Sequence, residues 1–300
     1  MDKPALSLMA LPGRRSRMIE IASEADRAGF SGLYCPTVGD GMALCQEIAS
    51  ATRTLRFGTS IANIYARHTV DYAQTASFIH EVSGGRFLFG VGVSHEIFNQ
   101  SMGLKTGKPL SDMRNFVDAY RKAEKRVGPL PPLVLAALRT KMAALAGEIA
   151  DGAVWANAAL SHMPVSLAAI AAASPRADFF VGNMIPTCVS DDRDAAANVL
   201  RRVLRMYVQL PNYQKYWEEA GYQQEMADIR HAIAAGERER LDSLMSERWL
   251  SDVTLYGTRS EIREGVERWR AAGVTTPILV PSSVNGGQLV ALEEIFAVFS

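Results

Sequence analysis

Short apolar runs rich in Val, Leu, Ile and Phe alternate with longer segments of helical periodicity along most of this chain. That alternation constrains the fold more than any other feature. Runs that are apolar at nearly every position predict strands buried on both faces, as in a parallel sheet wrapped by helices. Strands are expected at 5–11, 32–36, 55–62, 86–93, 132–137, 151–156, 179–184 and 277–281. Helices are expected at 16–28, 41–52, 70–82, 111–127, 141–149 and 162–173, with Gly29 at a left-handed C-cap and Ser111 and Asp112 supplying N-cap chemistry. Eight such units predict an α/β chain folded as a (β/α)8 TIM barrel, one domain over residues 1–300. A doubly wound sheet shares the βαβ unit, but the strand count and the lack of a low-complexity linker favour the barrel.

One stretch breaks the rhythm. From 191 to about 250 the pattern is helical, with Tyr207, Tyr213, Tyr216, Trp217 and Tyr222 close together. This is too long for one crossover helix and reads as an insertion after the seventh strand, a buttress that also frames a pocket. Lys plus Arg and Asp plus Glu both number 32, so no net charge draws the chain to nucleic acid or an acidic membrane. The N-terminal residues lack a signal-peptide pattern and no apolar run spans a membrane. Cys35, Cys45 and Cys188 are too few for a disulfide framework and lack zinc-ligand spacing, so free thiols in the cytoplasm and no metal are expected.

In a β/α barrel the chemistry sits at the C-terminal ends of strands. The end of the fourth strand is Gly90-Val91-Gly92-Val93-Ser94-His95-Glu96, with Asn99 close behind. Gly90 and Gly92 face one side, where a ligand or a crossing backbone can approach closely. The end of the third strand, Gly58-Thr59-Ser60-Ile61-Ala62-Asn63, is small and hydroxylated, and suits a planar ligand or ordinary strand packing. Leu138-Arg139-Thr140-Lys141 stands before a helix, as a phosphate cradle or as simple capping by Thr140. Asp40, in Val38-Gly39-Asp40-Gly41, serves a substrate or only makes a turn; the turn is the simpler reading. His68 is read as a helix start, and His80, His162 and His231 as ordinary helical histidines.

Taken together, Gly32-Leu33-Tyr34, Leu55-Arg56-Phe57-Gly58-Thr59-Ser60, Ser83-Gly84-Gly85-Arg86-Phe87-Leu88-Phe89-Gly90-Val91-Gly92, Leu145-Ala146-Gly147-Glu148-Ile149-Ala150-Asp151-Gly152 and Tyr256-Gly257-Thr258 resemble the luciferase-like monooxygenase superfamily, especially its deazaflavin-dependent branch. The resemblance implies coenzyme F420, or alternatively FMN, at the barrel mouth, and hydride transfer to or from a small organic substrate by the cofactor. It implies that Ser60-Ile61, beside Thr59, forms the bulge behind the ring, where relatives often have a non-proline cis peptide. Gly92, Ser94, Glu96 and Asn99 are expected at the ring or tail, Arg139 and Thr140 at a phosphate, and a homodimer by analogy. One departure stands out. Several deazaflavin enzymes carry Asp-His or His-His at the end of strand two, where this chain has Cys35-Pro36-Thr37. His95, Tyr65 and Asp40 are the remaining catalytic candidates by position. An FMN-dependent monooxygenase, or a cofactor-binding barrel without turnover, are the other readings.

Overall fold

The computed structural model describes residues 2–173 and 178–300, which fall into two compact units. The first comprises Met1–Trp155 and Leu167–Gly182, the second Ala156–Ser166 and Asn183–Ser300.

In the first unit the strands run β1 (Ala5–Ser7), β2 (Gly32–Cys35), β3 (Arg56–Thr59), β4 (Ala62–Asn63), β5 (Phe87–Gly92), β6 (Leu133–Ala136) and β7 (Gly152–Ala156). Each pairs in parallel with the next, except that β3 and β4 both lie on β5. The helices between them are α1 (Arg15–Ala28), α2 (Gly41–Ala51), α3 (Thr69–Val82), α4 (Glu96–Ser101), α5 (Pro109–Val127) and α6 (Thr140–Ile149), and α7 (Met163–Ala171), whose first residues belong to the second unit, follows β7. Gly29 ends α1 at φ 75°, the left-handed cap expected there. Every residue of β2 and β5 is buried, which is why both read as unbroken apolar runs.

The second unit begins its sheet with β8 (Phe180–Val189), whose first residues belong to the first unit. Then come α8 (Arg193–Leu204), α9 (Pro211–Glu219), α10 (Gln223–Ala234), α11 (Leu241–Leu244) and α12 (Glu247–Val253), so the predicted insertion is helical. β9 (Leu255–Gly257), α13 (Arg259–Ala271), β10 (Thr276–Ser282) and α14 (Gln288–Val298) complete it. Tyr216, Trp217 and Trp249 are fully buried, which accounts for the aromatic density of the insertion. Among the described residues no helix is long and apolar enough to cross a membrane, and no cluster of three metal-ligating side chains occurs.

Several sequence expectations need correction. The first strand is Ala5–Ser7 rather than 5–11, and β3 stops at Thr59 rather than 62. α5 opens at Pro109, with Lys108 at the N-cap, so Ser111 and Asp112 are not caps. Proline at the first helical position needs no N–H partner and starts the helix two residues early. The strand that begins near 179 runs on as β8 to Val189, because Thr187–Val189 pair with Leu255–Gly257, a partner distant in sequence.

The Ser83-Gly84-Gly85-Arg86 motif has a structural reason. Gly84 and Gly85 take φ 64° and 85°, which swings Arg86 under the end of α2. Its guanidinium donates to Ala49 O (2.9 Å), Thr52 O (3.0 Å), Leu55 O (3.0 Å) and Thr52 Oγ1 (2.7 Å). These include carbonyls that the terminus of α2 leaves without helical partners. Arg86→Ala is expected to lower unfolding free energy by about 2–4 kcal/mol, measured by urea denaturation.

Candidate functional site

All residues nominated from the sequence lie in the first unit, at the C-terminal ends of parallel strands. The third strand supplies the floor. Thr59 ends β3 with its hydroxyl donating to Gly90 O at 2.7 Å. A Cβ at Gly90 would stand 1.9 Å from Thr59 O, and one at Gly92 would stand 2.8 Å from Ile61 Cδ1 and 2.9 Å from Ala136 Cβ. Of the two readings for this glycine pair, the neighbouring chain occupies the space. Both glycines let β3 and its continuation press onto β5.

The peptide between Ser60 and Ile61 is cis. Ser60 is buried and its N–H donates to Cys35 O at 2.7 Å, while the Thr37 hydroxyl donates to Ile61 O. The chain then rejoins β5 as β4, pairing Ala62 with Val91 and Asn63 with Gly92. Asn63 is the organiser that sequence reasoning missed as a site residue. Its Nδ2 donates to Asn99 Oδ1 at 2.7 Å, its Oδ1 accepts from the Tyr65 N–H, and its carbonyl accepts from the Tyr72 hydroxyl. Asn99, 2% exposed, donates in turn to Val93 O at 2.9 Å. The expected cofactor contact Asn99 therefore commits both ends of its amide to tying α4 back onto β4 and β5.

Ser94 turns the chain with φ 57°, and His95 becomes the N-cap of α4. His95 is half-buried with its ring edge-on to Phe98, and burial pushes its pKa below the ordinary histidine value. Glu96 is exposed and accepts from the Gln100 amide. Tyr65 donates its hydroxyl to Asp112 Oδ2 at 2.7 Å; burial first, then Asp112, raises its pKa and keeps it protonated. Asp112, expected as a cap, also accepts from the Gly107 N–H and so closes the loop before α5. Asp40 adopts φ 61°, caps α2 through the Ala43 N–H at 3.1 Å and pairs with Arg67 Nη2 at 3.0 Å. Its geometry is that of the turn residue. His68 caps α3 by accepting from the Val70 N–H, as expected of a helix start. Arg139 is the N-cap of α6 and Thr140 its first helical residue, so Thr140 does not cap it; no side chain does.

Thr59, Ser60, Ile61 and Gly92 thus form one packed unit, Asn99 joins it through Asn63, and Ala136 brings the β6 end against Gly92. Tyr65 and Asp40 belong to separate polar clusters.

The family profile of the luciferase-like monooxygenases matches residues 4–276. The chain belongs to that family. A Mycobacterium tuberculosis oxidoreductase named as coenzyme F420-dependent is 23% identical, over 89% of this chain and 91% of its own. Among solved structures, the coenzyme F420-dependent tetrahydromethanopterin reductase of Methanopyrus kandleri superposes with a TM-score of 0.79 at 18% identity, covering 98% of this chain and 97% of that one. An F420-dependent secondary alcohol dehydrogenase in complex with an F420-acetone adduct gives 0.73 at 17% identity, covering 99% and 98%. At these identities the structural likeness establishes the fold: a (β/α)8 barrel with a helical insertion after its seventh strand.

Within the family frame, two measurements check the polar core of the site. Removing the amide in Asn99→Ala leaves the buried Asn63 Nδ2 without its acceptor, and should cost about 1–3 kcal/mol of stability in denaturant melts. His95 has a depressed folded-state pKa, so its neutral form is favoured in the fold. Its contribution is intact above the unfolded histidine pKa and declines as pH falls through about 6.5 towards the folded value. His95→Gln should flatten the fall in melting temperature between roughly pH 7 and 5.

Proposed function

We propose that this chain is an oxidoreductase moving a hydride between coenzyme F420 and a small organic substrate. The observation that carries this is likeness along nearly the whole chain, in sequence and in fold, to enzymes named for that coenzyme. The residues present also fit such a group. The first N–H groups of α6 receive no side-chain cap, and Arg139 stands at that N-cap, a combination suited to an anionic tail. Ser60 and Ile61 would back the ring, Ser94 and Glu96 would supply polar atoms at its edge, and Arg139 with Thr140 would hold the phosphate.

When bound, the deazaflavin supplies the hydride-carrying carbon. The chain's own part is to bind, orient and manage protons. Tyr65 and Asp40 spend their polar atoms on Asp112 and on Ala43 with Arg67. His95, held neutral by burial, is the candidate suited to take up or release a proton near neutral pH. Where relatives carry an acid or base at the end of strand two, Thr37 instead props the Ile61 carbonyl. The proton chemistry is therefore assigned to the strand-five side of the site.

Titrating the purified chain with F420 and separately with FMN, followed by fluorescence, tests this reading. F420 should bind, and Arg139→Ala should weaken it by about tenfold. Tight FMN binding without F420 binding would point to the monooxygenase reading; binding of F420 with no turnover of any ketone or alcohol would leave a cofactor-binding barrel.

A further inference from the structure

Two buried thiols stand beside the floor of the candidate site and take no part in the chemistry assigned above. Cys35 is the last residue of β2, and Cys45 lies in the second turn of α2; both are fully buried and free. Gly41 brings them together. A Cβ at Gly41 would stand 2.9 Å from Pro36 O, 3.1 Å from Cys35 O and 3.4 Å from Cys35 Cβ, so α2 starts hard against the end of β2. Cys45 follows one turn further along the same helix face. Its thiol has the Cys35 thiol as a side-chain hydrogen-bond partner. Burial first, then Cys35 and Asp40, push the Cys45 pKa up, which keeps the thiol protonated at neutral pH.

Cys35 is also tied to the floor. Its carbonyl accepts the Ser60 N–H at 2.7 Å, and two residues on the Thr37 hydroxyl donates to Ile61 O. The loop between the two cysteines is exposed from Thr37 to Asp40, where Asp40 caps α2 through the Ala43 N–H. Local opening of such a loop admits a small oxidant to thiols that the closed fold shields. A single protonated, shielded thiol is an inert core residue. Two side by side have a further chemistry, because once one sulfur is oxidised the other is in place to attack it.

We propose that Cys35 and Cys45 are a redox lock on the floor of the site, closed by a peroxide and opened by a thiol reductant. One thiol attacks hydrogen peroxide; the O–O bond breaks, the sulfur becomes a sulfenic acid and one water leaves. The second thiol attacks that sulfur, forming the S–S bond and releasing a second water. Two thiols and one peroxide thus give one disulfide and two waters, and the peroxide gains the two electrons that the sulfurs lose. The crosslink ties α2 to the end of β2. It thereby restricts opening of the loop that carries Thr37 and of the Ser60 N–H held by Cys35. The lock stands whichever cofactor the site takes.

The test treats the full chain with hydrogen peroxide, blocks remaining thiols with iodoacetamide in denaturant, and maps the peptides by mass spectrometry. Wild type should lose two hydrogens as a monomer, with Cys35 joined to Cys45 and Cys188 still alkylated. Amide hydrogen exchange of the peptides covering 36–40 and 59–62 should slow by about tenfold, and recover with dithiothreitol. Cys45→Ser should show neither the intramolecular crosslink nor the slowing; if it does not fold, Cys45→Ala serves instead. Oxidation of both thiols to sulfinic acids, a crosslink to Cys188 or between chains, or no reaction overturns the proposal. So does a Cys35–Cys45 crosslink that leaves both peptides exchanging as before, or a slowing that persists in the variant.

Discussion

The carbonyl of Thr59 passes so close to Gly90 that no side chain fits between them, and the geometry of the candidate site descends from that approach. Because position 90 is glycine, β3 can lie hard against β5, with the Thr59 hydroxyl bonded to the Gly90 carbonyl. The chain then leaves the ladder at Ser60 and Ile61 and returns as β4, so Asn63 arrives opposite Gly92 with its amide aimed at Asn99. Ile61 fills the space over Gly92. The floor is therefore rigid for reasons of packing and hydrogen bonding within the protein.

Around that floor most polar side chains are already engaged, and this shapes what chemistry remains. Asn99 links α4 to two strands, Tyr65 and Asp112 join the loop before α5 to the chain after β4, and Asp40 divides its carboxylate between a helix cap and Arg67. Such networks hold a site still. They also remove groups from the pool of acids and bases, while burial lowers the pKa of His95 beside them. On the proposed function, orientation would be the protein's main contribution and the reactive carbon would belong to the cofactor.

How much of this was legible depended on the range of the interaction involved. β2 and β5 were readable because strands buried on both faces must be apolar throughout. Gly29 was readable because few other residues accept φ 75° at a helix end. β4 escaped notice because it is two residues long, and α4 because its six residues carry no periodicity. Asp112 looked like a cap because caps and tertiary acceptors use the same residue types; only folding brings Tyr65 and Gly107 to it. The glycines at 90 and 92 could serve a ligand or a crossing chain, and only the register of β3 and β4 on β5 decided for the chain.

By itself the sequence determined the α/β class, the order of the β/α units, the place of the helical insertion and the strand ends at which a site could form. Those properties follow from periodicity and from local φ preferences, which act over a few residues. Only the tertiary structure decided which candidates are structural ties, as with Asn99 held on Asn63 and Asp40 on Arg67. Hydrogen-bond satisfaction is a balance over all neighbours in space, and a sequence read along its length does not contain that balance.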